Sequence, residues 1–365
     1  MSATLPPGQH VVVSAFGETP LDAIDRLTTL EPMPAPDPST LRPGDVIVAV
    51  KSASVGWVDL LMTSGQYQHM AKPPYTPGLE CAGVVAARGR DVDTIAVGDS
   101  VLVDAFVAGP RSLGEYQSQG GFSSYVVVPA DAVHRIPGAL DFDRACNLLG
   151  NYETAYHCLI ARGRLARGET VLVLGASGST GLAAVQIAKL LGATVIATGR
   201  SEAKLAIVKE EGADHVIAVK DAGFKDEVKR LTNGRGVDVV YDGVGGEASL
   251  EAIRTVRFGA RYLIVGWAAT PFVAQGGGRR GAPNANVLPT NLIMMKGLDV
   301  LGCPTAIGTT NDPSIRPPRL AQILAWARDG SIRPHVSHRF ALADYREAMK
   351  AKWNGEVVGG CVLHP

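Results

Sequence analysis

The stretch Thr170-Val-Leu-Val-Leu-Gly175-Ala-Ser177-Gly178-Ser179-Thr180-Gly181 constrains this chain more than any other. An apolar run of strand length ends in glycines spaced G-x-x-G-x-x-G, and an amphipathic helical pattern follows through Leu191. The spacing is a variant of the dinucleotide fingerprint. Its first glycine permits a tight turn, its second lets backbone N–H groups approach a pyrophosphate, and its third lets helix and strand pack closely. The helix start then offers N–H groups and a favourable dipole to an anion. A second apolar run, 193–198, comes at the distance expected of a βαβ unit.

The alternation continues. Strands are expected at 171–174, 193–198, 214–218, 237–241 and 260–265, with helices at 181–191, 202–211, 224–231 and 247–255. Such alternation predicts an α/β fold with a doubly wound parallel sheet. Leu298–Gly302 reads as a last sheet strand, 318–329 as a helix, and 343–350 with 357–363 as a short helix and a returning strand. Residues 1–135 differ: strands at 10–16, 45–51, 80–87, 99–103 and 123–128 are divided by turn residues, which predicts an antiparallel barrel-like domain. The polar stretch 107–121 is either a loop over a cleft or a surface excursion, and 268–287 is a glycine-rich basic loop.

At 365 residues two domains are natural, and 46% hydrophobic against 19% charged residues supplies ample core. Lys plus Arg and Asp plus Glu both number 35, which argues against a nucleic-acid partner held by bulk charge. No secretory signal and no bilayer-spanning run is evident, and the five cysteines lie far apart, so a cytoplasmic protein with reduced thiols is expected. The segment Gly175-Ala-Ser-Gly-Ser179 lacks the last glycine of a serine-hydrolase elbow.

Several segments, in order, resemble the medium-chain dehydrogenase/reductase superfamily. Pro77-Gly-Leu-Glu-Cys-Ala-Gly-Val-Val85 is similar to its PG-x-E-x-AG-V-V segment, and Val97-Gly-Asp-Ser-Val101 to its VGDRV. Gly150-Asn-Tyr-Glu-Thr-Ala-Tyr156 resembles the helix that reaches the nicotinamide, with Thr154 at the family's threonine. Asp242-Gly-Val244-Gly-Gly246 and Val265-Gly266, followed by Trp267, resemble the later cofactor-side turns. The resemblance implies a Rossmann domain over 148–302, inserted in a β-rich GroES-like barrel domain of 1–147 plus 303–365.

Zinc-dependent members place a cysteine before Asp59 and a histidine where this chain has Leu79; neither is present, nor is the four-cysteine structural lobe. Catalytic zinc needs about three protein ligands. The resemblance therefore points to the zinc-free branch of quinone oxidoreductases and enoyl-thioester reductases, with no metal ligands. Tyr67 matches the proton-donor tyrosine of the enoyl-thioester reductases, or else is a rim aromatic that packs substrate. Ser54 stands where the family often has asparagine, as an oxyanion donor, and Asp59 is expected to stabilise its local turn.

Cofactor choice rests on the end of the second strand of the βαβ unit, where NAD-binding folds carry an acid. Here Thr198 is followed by Gly199-Arg200-Ser201, with Lys204 one turn on. Arginine can hold a 2′-phosphate in fork geometry, so NADPH is expected. The expected activity is NADPH-dependent reduction of a quinone or an α,β-unsaturated carbonyl. An enoyl-CoA substrate, with Arg279 and Arg280 meeting its phosphates, and a non-catalytic NADPH-binding structural or RNA-binding role are the alternatives. The apolar run Leu292–Met295 beside the last strand predicts a homodimer or higher oligomer.

Overall fold

Buried parallel strands read as continuous apolar runs, and six of them form one sheet. The computed structural model describes residues 5–138, 140–219, 223–268 and 286–365. The chain divides into two compact units, one of residues up to Gly150 together with Arg333–Pro365, the other of residues from Asn151 to Ile332.

The first unit holds β1 (Gly8–Val13) paired with β2 (Thr28–Met33) as a ribbon. Its main sheet uses β3 (Asp45–Ser54), β4 (Glu80–Arg88), β5 (Ser100–Val103), β6 (Tyr125–Pro129) and β7 (Val133–Arg135). The C-terminal segment returns as β14 (Val336–Ala341) and β15 (Gly360–His364), giving the order β14-β15-β3-β4-β5-β7 with β6 also on β3. Every pairing except β14 with β15 is antiparallel. Its core gathers the alternate inward side chains, among them Val48, Val50, Val85, Val126 and Leu363.

In the second unit the strands are β8 (Thr170–Leu174), β9 (Thr194–Gly199), β10 (His215–Ala218), β11 (Val237–Asp242), β12 (Val256–Ile264) and β13 (Asp299–Gly302). Their order is β10-β9-β8-β11-β12-β13, all parallel, with helices between successive strands: a Rossmann-type sheet. The predicted strands and helices of this sheet all occur within a few residues of their expected bounds. Among the described residues no helix is long and apolar enough to cross a membrane. The basic cluster Arg279–Arg280 and most of the 268–287 loop lie outside the described residues.

Three features depart from the expectations. The sequence carries a helical periodicity from Leu140 through Leu159, which the structure divides into Phe142–Ala145, Leu149–Tyr156 and a π-helical turn at His157–Arg162. The N-terminal unit contains two helices, Pro20–Arg26 and Trp57–Thr63, that its strand-and-turn pattern did not suggest. The second unit runs to Ile332, past the expected boundary at 302. An ionic core explains that extension. Glu153, fully buried in helix Leu149–Tyr156, accepts from Arg316 Nη2 at 2.8 Å and Arg319 Nε at 2.8 Å. Both arginines sit on helix Arg316–Arg328, and Arg319 also donates to Thr309 Oγ1 at 2.8 Å. Burial, with Arg319 and Arg162 nearby, holds His157 down to about 4, so these cations face a neutral imidazole at physiological pH.

Candidate active site

The Gly175 turn follows directly from β8, and its glycines do three different jobs. Gly175 has φ of +64°, a left-handed conformation that favours glycine. A Cβ on Gly181 would lie 2.6 Å from the Gly175 carbonyl oxygen and 2.8 Å from Ala176 Cα, so helix Ser179–Leu190 can approach β8 only without a side chain there. Gly178, the N-cap, is exposed, and a Cβ on it would meet only the Gly175 oxygen at 3.5 Å. That leaves the backbone at the helix start open to a ligand, and Ser177, Ser179 and Thr180 sit half-buried around it. The described turn thus fits a dinucleotide pyrophosphate on backbone shape.

The next strands complete this edge. β9 ends at Gly199, beside β8 in parallel register, and Arg200 is exposed immediately after it. Ser201 caps helix Glu202–Glu210 by accepting from Lys204 N–H at 3.4 Å. The residues that follow β9, Arg200 and Ser201, bring no carboxylate to the strand end. At the end of β11, buried Asp242 accepts from Val244 and Gly245 N–H, each at 2.9 Å, and from Tyr262 Oη at 2.7 Å. Asp242 thereby fixes the turn that sets Val244 against Gly175, where a Cβ would fall 2.8 Å from Val244 Cγ2. Gly266 N–H donates to the Asp242 carbonyl at 3.1 Å, and Trp267 beyond it is exposed. So Gly175, Gly178, Gly181, Gly199, Arg200, Val244 and Gly266 gather at the carboxyl ends of the parallel strands, where such sheets bind ligands. Thr154 lies half-buried on helix Leu149–Tyr156, which Tyr152 Oη ties to Gln186 Oε1 of the fingerprint helix at 2.7 Å.

In the first unit, Tyr67 follows helix Trp57–Thr63 and packs on the buried cluster Met62, Leu79 and Ala105. Its hydroxyl makes no hydrogen bond among the described residues. Ser54 ends β3, buried, and donates to Asn147 Oδ1 at 2.8 Å. That proton is already committed inside the unit. Asp59 is fully enclosed and accepts from Gly56 N–H at 2.9 Å, Gly78 N–H at 3.1 Å and Leu79 N–H at 2.9 Å. It holds its turn as expected. Burial raises its carboxyl to about 6 against the opposing pull of those N–H groups. Glu80 accepts the Gly150 N–H at 2.7 Å.

The donor set does not fit a catalytic zinc ion. Leu79 offers an apolar side chain, the Asp59 oxygens are taken by three N–H groups, and no three His, Cys, Asp or Glu side chains converge among the described residues.

Two family models match the chain: an alcohol dehydrogenase GroES-like domain over residues 42–138, and a zinc-binding dehydrogenase domain over 179–312. A quinone oxidoreductase-like protein 2 homolog of Nematostella vectensis is 31% identical over 324 residues, spanning 87% of this chain and 82% of its own. The chain belongs to the medium-chain dehydrogenase/reductase superfamily. Among solved structures, a probable oxidoreductase from Mycobacterium abscessus matches with a TM-score of 0.79 at 30% identity, covering 99% of both chains. A mycobacterial protein crystallised with NADPH matches with a TM-score of 0.77 at 25% identity, covering 98% of this chain and 100% of its own. Members of the superfamily are oxidoreductases that bind NAD(P)(H), and this chain has the GroES-like and Rossmann units of that family.

The sequence did not reveal the pairing of Glu153 with Arg316 and Arg319. Their partners are distant in the chain, 163 residues for Arg316, and no local spacing signals them.

Proposed function

We propose that this medium-chain dehydrogenase/reductase is an NADPH-dependent, zinc-independent reductase of quinones or α,β-unsaturated carbonyls. The observation that carries the reading is the apolar cluster of Met62, Leu79 and Ala105 with Tyr67 packed upon it. Without a Lewis acid, alcohol oxidation is hard to arrange, whereas reduction of an activated double bond needs only placement, hydride and a proton. The quinone oxidoreductase-like relative supports the same class.

Bound nicotinamide supplies the hydride. The Gly175–Gly181 turn would hold the pyrophosphate, with Val244 and Gly266 beside it and Thr154 toward the nicotinamide. Tyr67 Oη donates a hydrogen bond or a proton as negative charge develops on the substrate. We assign Ser54 to fixing the end of β3 through Asn147 rather than to this donation. All five cysteines are buried thiols, which suits a reducing compartment such as the cytoplasm. Assay of NADPH oxidation against quinones, enones and enoyl-CoAs tests the reading; turnover with none of them would contradict it.

Arg200, with Ser201 and Lys204 behind it, would receive the 2′-phosphate, as the NADPH-bound mycobacterial relative encourages. Arg200→Ala is expected to raise KM for NADPH by about tenfold to a hundredfold, since a charge-assisted hydrogen bond contributes roughly 1.5–3 kcal/mol. KM for NADH should hardly move. Equal effects on both cofactors would show that Arg200 does not read the phosphate.

The protein is also expected to self-associate through the sheet edge. β13 is an edge strand, and Phe258, Met294 and Met295 are exposed, Met294 by 74% and Phe258 by 75%. An uncovered edge beside apolar side chains favours pairing with a second copy. Light scattering at micromolar concentration should give a dimer or larger, and Met294→Lys should weaken it. A monomer throughout would contradict this.

A further inference from the structure

The loop 107–121 carries Arg111, whose Nε has no hydrogen-bond partner among the described residues. It is not a loose excursion. Glu115 pairs with Arg42, and Tyr116 Oη donates to Asp45 Oδ1 at 2.6 Å. Gln117 accepts from Lys72 N–H at 3.2 Å and Gln119 from Val127 N–H at 3.3 Å. At its far end Gly121 N–H donates to the Gly78 carbonyl at 2.7 Å, which fixes the loop beside Leu79. Its near end is held by Asp104, which accepts from Phe106 N–H at 2.9 Å.

Arg111 projects from this tethered loop. Its guanidinium lies over the Phe106 ring, 4.2 Å from the centroid. Phe106 follows Ala105, a member of the cluster on which Tyr67 packs. Arg111 Nε is buried and has no hydrogen-bond partner among the described residues. Asp59 feels its charge, but the Asp59 oxygens are already occupied by backbone N–H groups. A buried donor of a charged group left without an acceptor is costly. The Nε and Nη donors of arginine form a rigid fork that matches a carboxylate in two parallel hydrogen bonds, and the ring beneath holds the guanidinium plane in place.

We propose that Arg111 is a substrate anchor whose guanidinium receives a carboxylate carried by the substrate, so that the preferred enones or quinones are anionic. The proposal rests on the reductase reading and narrows it. Tyr67 then meets the reacting end of the molecule while Arg111 fixes its charged end. Leu79, against which Tyr67 packs, and Phe106, beneath Arg111, supply the apolar contacts at the two ends.

The test uses a matched pair: 4-carboxybenzylideneacetone and its methyl ester, which share the accepting double bond and differ in charge. With NADPH, wild-type kcat/KM for the acid should exceed that for the ester by about tenfold to a hundredfold, mostly through KM. Arg111→Gln should bring the ratio near one by raising KM for the acid, with the ester unaffected. Arg111→Met, which keeps an apolar stem over Phe106, serves if the glutamine variant does not fold. Calorimetric binding of the saturated pair, 4-(3-oxobutyl)benzoate and its methyl ester, reads the anchor without turnover. Equal wild-type affinity for acid and ester, or an acid preference that survives both substitutions, would overturn the proposal. Turnover of both compounds without an acid preference leaves the reductase reading intact and removes the anchor. Arg111-dependent binding of the acid with turnover of neither compound does the reverse.

Discussion

Tyr67→Phe is expected to lower kcat and kcat/KM together on an enone, by about a hundredfold to ten-thousandfold, while quinone reduction by the same variant hardly changes. The substitution deletes one hydroxyl and keeps the ring that packs on Met62, Leu79 and Ala105. Folding and substrate packing should therefore survive, and the loss should be chemical. The two substrates differ in where the proton is needed. An enone must gain one at carbon, which water delivers poorly, whereas the reduced oxygens of a quinone are protonated readily by solvent. Stopped-flow traces of NADPH oxidation on both substrates make the comparison. Wild-type kcat on every substrate would reduce Tyr67 to a packing residue.

The second large effect is on stability. Glu153→Ala should destabilise the nucleotide-binding unit by about 3–5 kcal/mol, because it strands two buried arginines without their counter-charge. Glu153 is fully buried, Arg319 is 2% exposed and Arg316 9%. Desolvation of a triad of this kind makes its net value small, so replacing all three residues with apolar ones of similar volume should cost far less than removing the glutamate alone. Trp326, whose ring lies 5.8 Å from that of Tyr156, reports on this region in guanidinium unfolding. A Glu153→Ala midpoint equal to wild type would mean that the arginines find another partner.

These two residues also mark what a sequence can disclose. The Gly175 turn was legible because three separate geometric demands, a positive φ, a close helix approach and an open cap, each exclude side chains at fixed spacing. The strands of the parallel sheet were legible because burial on both faces leaves uninterrupted apolar runs. β14 was not: Ser337, His338 and Arg339 give it a polar pattern, and only its parallel pairing with β15 makes it a strand. Helix Trp57–Thr63 is a seven-residue segment fixed by Asp59 at its start, too short for a clear period. The limit of the second unit depends on Glu153 meeting Arg316 and Arg319, a contact between residues far apart in the chain. Arg111 is likewise recognisable only once the loop is seen folded back beside Leu79. Resemblance pointed to Tyr67 and to the glycine turns at the strand ends as expectations, whereas the long-range charge pairing of Glu153 had to come from the structure.

The most direct test of a zinc-independent NADPH reductase is a single assay on protein dialysed against a strong chelator, with its metal content measured by elemental analysis. Oxidation of NADPH by an enone or quinone should proceed at the undialysed rate with far less than one zinc per chain, and added zinc should not raise it. Turnover that disappears on chelation and returns with stoichiometric zinc would contradict the account.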